Sequence, residues 1–302
     1  MIAIRLTAGI SLFAITSEAI WSASPEMTGE PQRSVRSTPD SLDLDAPASP
    51  LDTIATDFLG LFTDIPDLLF LPGDWEAKDW LLAGGIGVWG TGLIAADEGL
   101  RDDMQGLRGT DGDAVVSVVD AFGENEVGLV IAGGLYLPGL IFDEPEIRRA
   151  GRYLAQTLLY SAAIGSVLKG TLGRSRPFVN NGSHDFHGPW QSDNARLSMP
   201  SGHTIVAFSI ASSLSASFDR PWLTPILYGA ATATALGRMY LDQHWSSDVF
   251  FAAVLSSAIG HGVVALQERA SEEPAVGSST IDIQPLVAWR PTLLELGITA
   301  RW

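Results

Sequence analysis

Six apolar segments of nearly uniform length constrain this chain more than any other feature: Trp80–Ala96, Val127–Phe142, Tyr153–Leu168, Thr204–Phe218, Trp222–Leu236 and Val249–Leu266. Each is too long for an ordinary strand and is built mostly of helix-compatible residues. The pattern predicts an all-α fold, a six-helix bundle over residues 80–268. Most segments fall short of the roughly 20 apolar residues that a membrane span needs, and Gly, Ser and Thr dilute them. Their length therefore fits either membrane helices or the buried helices of a large soluble bundle.

The flanking regions read differently. Residues 1–24 have the layout of a secretory signal, with Arg5 as the charged start, Leu6 to Ile15 as the apolar stretch and small residues from Ser17 to Ser24 for cleavage. Residues 25–53, rich in Pro, Ser, Asp and Thr, read as a flexible linker. Residues 54–79 hold Leu and Phe at helical spacings interrupted by Asp57, Asp64, Pro66 and Asp67, which suits an amphipathic, interfacial segment. Residues 269–302 pass from a polar linker into two alternating runs around Arg290-Pro291-Thr292, the pattern of a β-hairpin.

Export would place the protein in the cell envelope, either in the membrane with its site facing the periplasm or exterior, or soluble in the periplasm. Topology brings a conflict. Arg148, Arg149 and Arg152 precede the third segment and favour a cytoplasmic loop there, whereas a cleaved signal followed by six spans puts the loop after that segment inside. Entry of Ile54–Leu71 into the membrane, a soluble or peripheral periplasmic bundle, or an N-terminal segment that is not a signal would each resolve it.

The formal charge of −17 argues against nucleic acid as a partner, since a phosphate-backbone binder needs a basic surface. The absence of cysteine excludes disulfides, thiolate metal sites and a cysteine nucleophile. Cations are few and local. The chain has two lysines, Lys78 and Lys169, and the second sits in Lys169-Gly-Thr-Leu-Gly-Arg174-Ser-Arg176-Pro177 at the end of an apolar segment.

Two further stretches complement it. Leu-Ser-Met-Pro200-Ser201-Gly202-His203 directly precedes an apolar run, and a helix start offers unpaired N–H groups and the positive end of the macrodipole to an anion. Gly237-Arg238-Met-Tyr-Leu-Asp-Gln-His244-Trp-Ser-Ser-Asp248 lies at another segment boundary.

Metal-free hydrolysis of a phosphate ester needs cations and fixed donors for the non-bridging oxygens, an in-line nucleophile, and an acid for the leaving oxygen. Lys169, Arg176 and Arg238 supply the cations, and Ser201 and Gly202 add short donors. His244 and Asp248, four apart, suit a nucleophilic imidazole held by a carboxylate. His203 is left to protonate the departing alcohol and then to activate water.

Lys-x6-Arg-Pro, Pro-Ser-Gly-His and Arg-x5-His-x3-Asp, in that order, resemble the three-part signature of the type 2 phosphatidic acid phosphatase and vanadium haloperoxidase superfamily. The resemblance covers about Trp80 to Gln267. It implies a helical bundle, a phosphohistidine intermediate, the same residue roles, no cofactor and no metal. Many members have serine where this chain has Gly237, which suggests weaker phosphate contact.

Arg174 has no place in the signature and is expected to steer anions or pair with an acid. His184, Asp185, His187 and Asp193 read as a polar entry loop rather than a metal site, and His261 as a hydrogen-bonded core residue. The expected function is a phosphatase acting on phosphomonoesters or pyrophosphates, with a lipid-linked phosphate as substrate and a membrane as partner. The alternatives are a vanadate-dependent haloperoxidase, or a non-enzymatic envelope protein with a relict site.

Overall fold

A computed structural model describes residues 3–5, 50–62, 65, 75–272, 282–290 and 293–301. The signal segment beyond Arg5, most of the linker and most of residues 63–74 lie outside the described residues. The chain divides into two units, one formed by Pro47–Glu272 and one by its two ends.

The larger unit is all-α. Its helices are α1 (Pro50–Gly60), α2 (Ala77–Gly106), α3 (Thr110–Asp120), α4 (Asn125–Ile141), α5 (Pro145–Leu172), α6 (Gly202–Phe218), α7 (Leu223–Tyr240) and α8 (Ser246–Glu272). The six apolar segments coincide with α2, α4, α5, α6, α7 and α8. Three of these helices outrun their apolar runs, because flanking polar residues continue the helical hydrogen bonding: α2 has 30 residues, α5 28 and α8 27. At 1.5 Å per residue, α2 is about 45 Å long. Among the described residues, Ala77–Gly106 and Ser246–Arg269 are long and apolar enough to cross a membrane. Trp80, Leu81, Leu82, Val88 and Trp89 of α2 are exposed.

Local sequence sets the helix ends. Pro145 occupies the first turn of α5, where its missing N–H costs nothing, and Gly173 closes that helix at φ 59°, a left-handed conformation that suits glycine. At the start of α2, the Glu76 N–H donates to Asp79 Oδ2 at 2.9 Å as half of a capping box.

α6 is the central helix. Its large residues Val206, Ile210 and Leu214 pack with Ala132 of α4 and with Leu154 and Leu158 of α5, while Ala207 and Ala211 meet Ala231 of α7. Its small residues admit α8 closely: a Cβ at Gly260 would collide with Ser212 Oγ. A second cluster joins Tyr153 and Tyr160 of α5 to Ile259, Val263 and Val264 of α8.

Two features differ from the sequence reading. α3 has no counterpart among the apolar segments, and it packs on α7. In α1, Asp57 is no interruption but an anchor: it accepts a hydrogen bond from Tyr136 Oη at 3.0 Å and lies 3.6 and 3.4 Å from Arg148 and Arg152. Leu51, Phe58, Leu59 and Phe62 remain exposed on or next to that helix.

The unit of the chain ends contains β1 (Ala3–Arg5), β2 (Asp282–Arg290) and β3 (Leu293–Arg301) as an antiparallel sheet in the order β1-β3-β2. Asp282 pairs with Arg301 and Arg290 with Leu293.

Candidate active site

The three polar stretches meet where the end of α5, the start of α6 and the α7–α8 turn come together. Lys169, in the last turn of α5, donates to Leu197 O at 3.2 Å. A Cβ at Gly202 would stand 3.8 Å from Lys169 Nζ, so the first residue of α6 faces the ammonium. Arg176 is fixed by Asn194, whose backbone and side-chain oxygens each accept at 2.9 Å, and by Gln243 Oε1 at 2.9 Å.

Arg238, in the last turn of α7, directs Nη1 at both oxygens of Asp120, at 3.0 and 2.8 Å, and its buried Nε has no partner among the described residues. Burial pushes the Lys169 ammonium down to about 8, helped by repulsion from Arg176 and Arg238 and opposed by Asp248. Arg176 is lowered by burial and then by Arg238. Burial and the neighbouring guanidinium of Arg238 thus destabilise the charges of Lys169 and Arg176 until an anion joins them.

His244 lies in the turn between α7 and α8, held by its backbone N–H to Arg238 O at 3.3 Å. Burial pushes the imidazole down to about 3, with Lys169 and Arg176 adding repulsion and Asp248 pulling the other way. The ring is therefore neutral at physiological pH. Its Nδ1 stands 3.7 Å from Asp248 Oδ2, too far for a hydrogen bond, and has no other partner among the described residues. The attraction between the two is electrostatic in this state, which corrects the expectation of a carboxylate that already holds the ring N–H.

Asp248 is occupied by other donors. Ser198 Oγ donates at 2.5 Å and the Trp245 N–H at 2.9 Å to Oδ2, and Arg174 Nη1 donates at 2.7 Å to Oδ1. The Trp245 contact is the capping-box half that starts α8.

Arg174 is fully buried and pairs with an acid on each side. Besides Asp248 it holds Asp97 Oδ2 at 2.7 Å, and Asp97 also accepts from Ser246 Oγ, Ser247 N and Ser247 Oγ. Arg101 of α2 braces the turn from outside by pairing with Asp242 at 2.6 Å.

At the start of α6, Ser201 is buried, its N–H donates to Asp248 O at 3.2 Å, and its Oγ accepts from Thr204 Oγ1 at 3.0 Å. His203 turns to the other side, where Nε2 lies 3.3 Å from Glu124 Oε1 and 3.7 Å from Asp120 Oδ2. The ligand atoms of Asp120, Glu124 and His203 lie within 4.8 Å of one another, a grouping that can hold a metal ion. Arg238 already supplies Asp120 with a cation. Gly123 lets this turn approach: a Cβ there would fall 2.7 Å from His203 Cβ and from Thr234 Cγ2.

Residues 150–272 match the family model of the PAP2 superfamily. That stretch belongs to the PAP2 superfamily. A lipid A 1-phosphatase of Porphyromonas gingivalis is 31% identical over 105 residues, covering 34% of this chain and 22% of that protein. The chain thus spans about a fifth of the length of that curated relative. Among solved structures, LpxE of Aquifex aeolicus is similar at 20% identity and a TM-score of 0.44, over 57% of this chain and 94% of the other. A transmembrane PAP2 type phosphatidylglycerolphosphate phosphatase from Bacillus subtilis is similar at 19% identity and a TM-score of 0.47, over 61% and 95%.

All eight residues singled out from the sequence fall inside the PAP2 stretch and gather at this one end of the helices. Three others were not foreseen. Asp97, at the end of an apolar segment, looked like an ordinary helix flank. Asp120 and Glu124 are two among 35 acids, and only the fold brings them to the site.

Gly237 points away from the cations: a Cβ there would meet Val116 and Val119 of α3 at 3.4 and 3.5 Å. The missing hydroxyl therefore bears less on phosphate contact than the PAP2 comparison of motifs suggested. In the 173–201 loop, Asp185 accepts from Ser175 at 2.7 Å, Asn181 at 2.9 Å and His187 at 3.0 Å, and these bonds hold its carboxyl below the usual range. Asp193 caps a short turn through Ala195 N, and His184 faces Ser183. These four side chains brace the loop. His261 is exposed rather than in the core, with Nε2 at 3.0 Å from Tyr228 Oη.

Proposed function

We propose that the chain is a phosphoric ester hydrolase that releases phosphate from a lipid-linked phosphomonoester or pyrophosphate through a phosphohistidine at His244, with no metal. The observation that carries this reading is the crowding of Lys169, Arg176 and Arg238 around a neutral imidazole, with the buried Nε of Arg238 unpaired among the described residues. A phosphate dianion relieves that repulsion and gives the Nε an acceptor.

In the proposed reaction, His244 Nε2 attacks phosphorus while Nδ1 faces Asp248. The ring becomes cationic as the P–N bond forms, and the Asp248 carboxylate 3.7 Å away stabilises that charge. Lys169, Arg176, Arg238, the Ser201 hydroxyl and the Gly202 N–H hold the non-bridging oxygens. His203 donates its proton to the leaving oxygen as the P–O bond breaks. The neutral His203 then takes a proton from water, which attacks the phosphohistidine and releases phosphate.

The reading also includes location. The six long helices form the bundle, α2 and α8 cross a bilayer, and export through residues 1–24 puts the site on the periplasmic or exterior face. The lipid A 1-phosphatase relative supports a lipid phosphate as the substrate class.

The test is phosphate release from a lipid phosphomonoester in mixed micelles with EDTA present. The wild-type chain should turn over and His244→Ala should not. Full activity in that variant would remove the nucleophile assignment, and halide oxidation by vanadate-loaded protein without phosphate release would favour the haloperoxidase reading.

A further inference from the structure

We propose that Glu124, with Asp120 behind it, selects the leaving group: the site favours a phosphomonoester whose departing alcohol is uncharged or bears hydrogen-bond donors, and it disfavours a pyrophosphate. The inference rests on the phosphatase reading above and on the role given to His203.

The leaving oxygen must lie beside the proton that His203 donates. His203 Nε2 faces Glu124 Oε1 at 3.3 Å and Asp120 Oδ2 at 3.7 Å, so whatever is attached to that oxygen passes along two carboxylates. Their charges are not equally compensated. Arg238 Nη1 contacts both oxygens of Asp120, whereas Glu124 has no Lys or Arg partner among the described residues. About half of the Glu124 side chain is exposed, which places it at the mouth rather than in the core.

This arrangement is built into the fold. Thr234 Oγ1 donates to Val119 O at 2.7 Å and ties the end of α3 to α7. The absence of a side chain at Gly123 allows the turn that carries Glu124 to lie against His203. Nothing in the cation cluster needs this second acid, because Lys169, Arg176, Arg238 and His244 are complete without it.

The site thus has two electrostatic halves. The half lined by cations takes the transferred phosphoryl group, and the half lined by acids takes the leaving group. A second phosphate there would face like charge, while hydroxyl, amide or ammonium groups would find acceptors. One unit repulsion at about 5 Å across an effective dielectric of about 50 corresponds to about tenfold in kcat/KM.

The experiment compares a polyprenyl monophosphate with the pyrophosphate of the same polyprenol in mixed micelles, in EDTA, for wild type, Glu124→Gln and Glu124→Lys. Glutamine keeps the size and one acceptor oxygen. The wild type should favour the monophosphate by about tenfold in kcat/KM, Glu124→Gln should shift the ratio toward pyrophosphate by about fivefold or more, and Glu124→Lys should shift it further. Circular dichroism checks that each variant is folded, and the ratio cancels any loss common to both substrates. A ratio constant to within about twofold across the three charges, or a wild type that favours pyrophosphate, overturns the inference while leaving the phosphatase reading intact. Release from neither substrate by the wild type takes down both.

Discussion

Replacing Arg174 by methionine should damage this protein more than replacing any exposed charge, and the size of the loss follows from the structure. The guanidinium is fully buried and lies 2.7 Å from Asp97 on one side and 2.7 Å from Asp248 on the other. It also donates to Ser183 O from Nε and Nη2, at 2.9 and 2.6 Å. Methionine fills much of the volume but strands two carboxylates that have no solvent exposure. Removing one partner from a buried ion pair costs about 3–5 kcal/mol, because the remaining charge stays desolvated. For a helical unit of this size that is a fall in Tm of about 10 °C.

Thermal unfolding of the solubilised protein, followed by helical circular dichroism at pH 7, measures it. Arg174→Met combined with Asp97→Asn removes one of the stranded charges and should recover about half of the loss. The same variant should lower kcat more than it raises KM, because Asp248 loses a contact that fixes its position beside His244. A Tm within about 2 °C of wild type would refute the claim that a buried charge triad holds the site together.

Two other outcomes follow from specific groups. With Lys169 pushed down to about 8, kcat/KM should fall as the pH rises through that value, and Lys169→Arg, which stays charged, should remove the decline. Stability runs the opposite way: the unfolded lysine keeps its proton up to its ordinary value of 10.5, so between about 8 and 10.5 the unfolded chain binds more protons and stability rises with pH. Gly123→Val should cost about 1–3 kcal/mol and lower activity, because its Cβ would meet His203 Cβ and Thr234 Cγ2 at 2.7 Å. Urea unfolding and phosphate release together report both effects.

The helices were legible because each long helix carries a run of apolar residues that water would otherwise face. The ends of α2, α5 and α8 were not, since a polar residue extends a helix without leaving a hydrophobic trace. α3 was missed because Thr110 to Asp120 combines acids, a glycine and four valines, a mixture with neither period in evidence. In the site, the residues with fixed local spacing could be named from sequence: Ser201, Gly202 and His203 at a helix start, and His244 and Asp248 around another.

Long-range partners had no such trace. That Arg174 is wedged between Asp97 and Asp248, or that Glu124 stands beside His203, depends on how helices far apart in sequence pack. The pairing of His244 with Asp248 shows the converse limit. Four-residue spacing suggested a hydrogen bond, but Asp248 belongs to the first turn of α8 and His244 precedes it, which leaves the two 3.7 Å apart.

The central claim is covalent transfer of phosphate to His244, and trapping the intermediate tests it most directly. Wild-type protein mixed with radiolabelled lipid phosphomonoester in EDTA, and quenched in base within one turnover, should carry an alkali-stable, acid-labile phosphate on the peptide that contains His244. His203→Ala should lower the rate at which this label forms and hydrolyses, and His244→Ala should show none. Label on another residue, or full turnover with no label while His244→Ala remains active, would contradict the account.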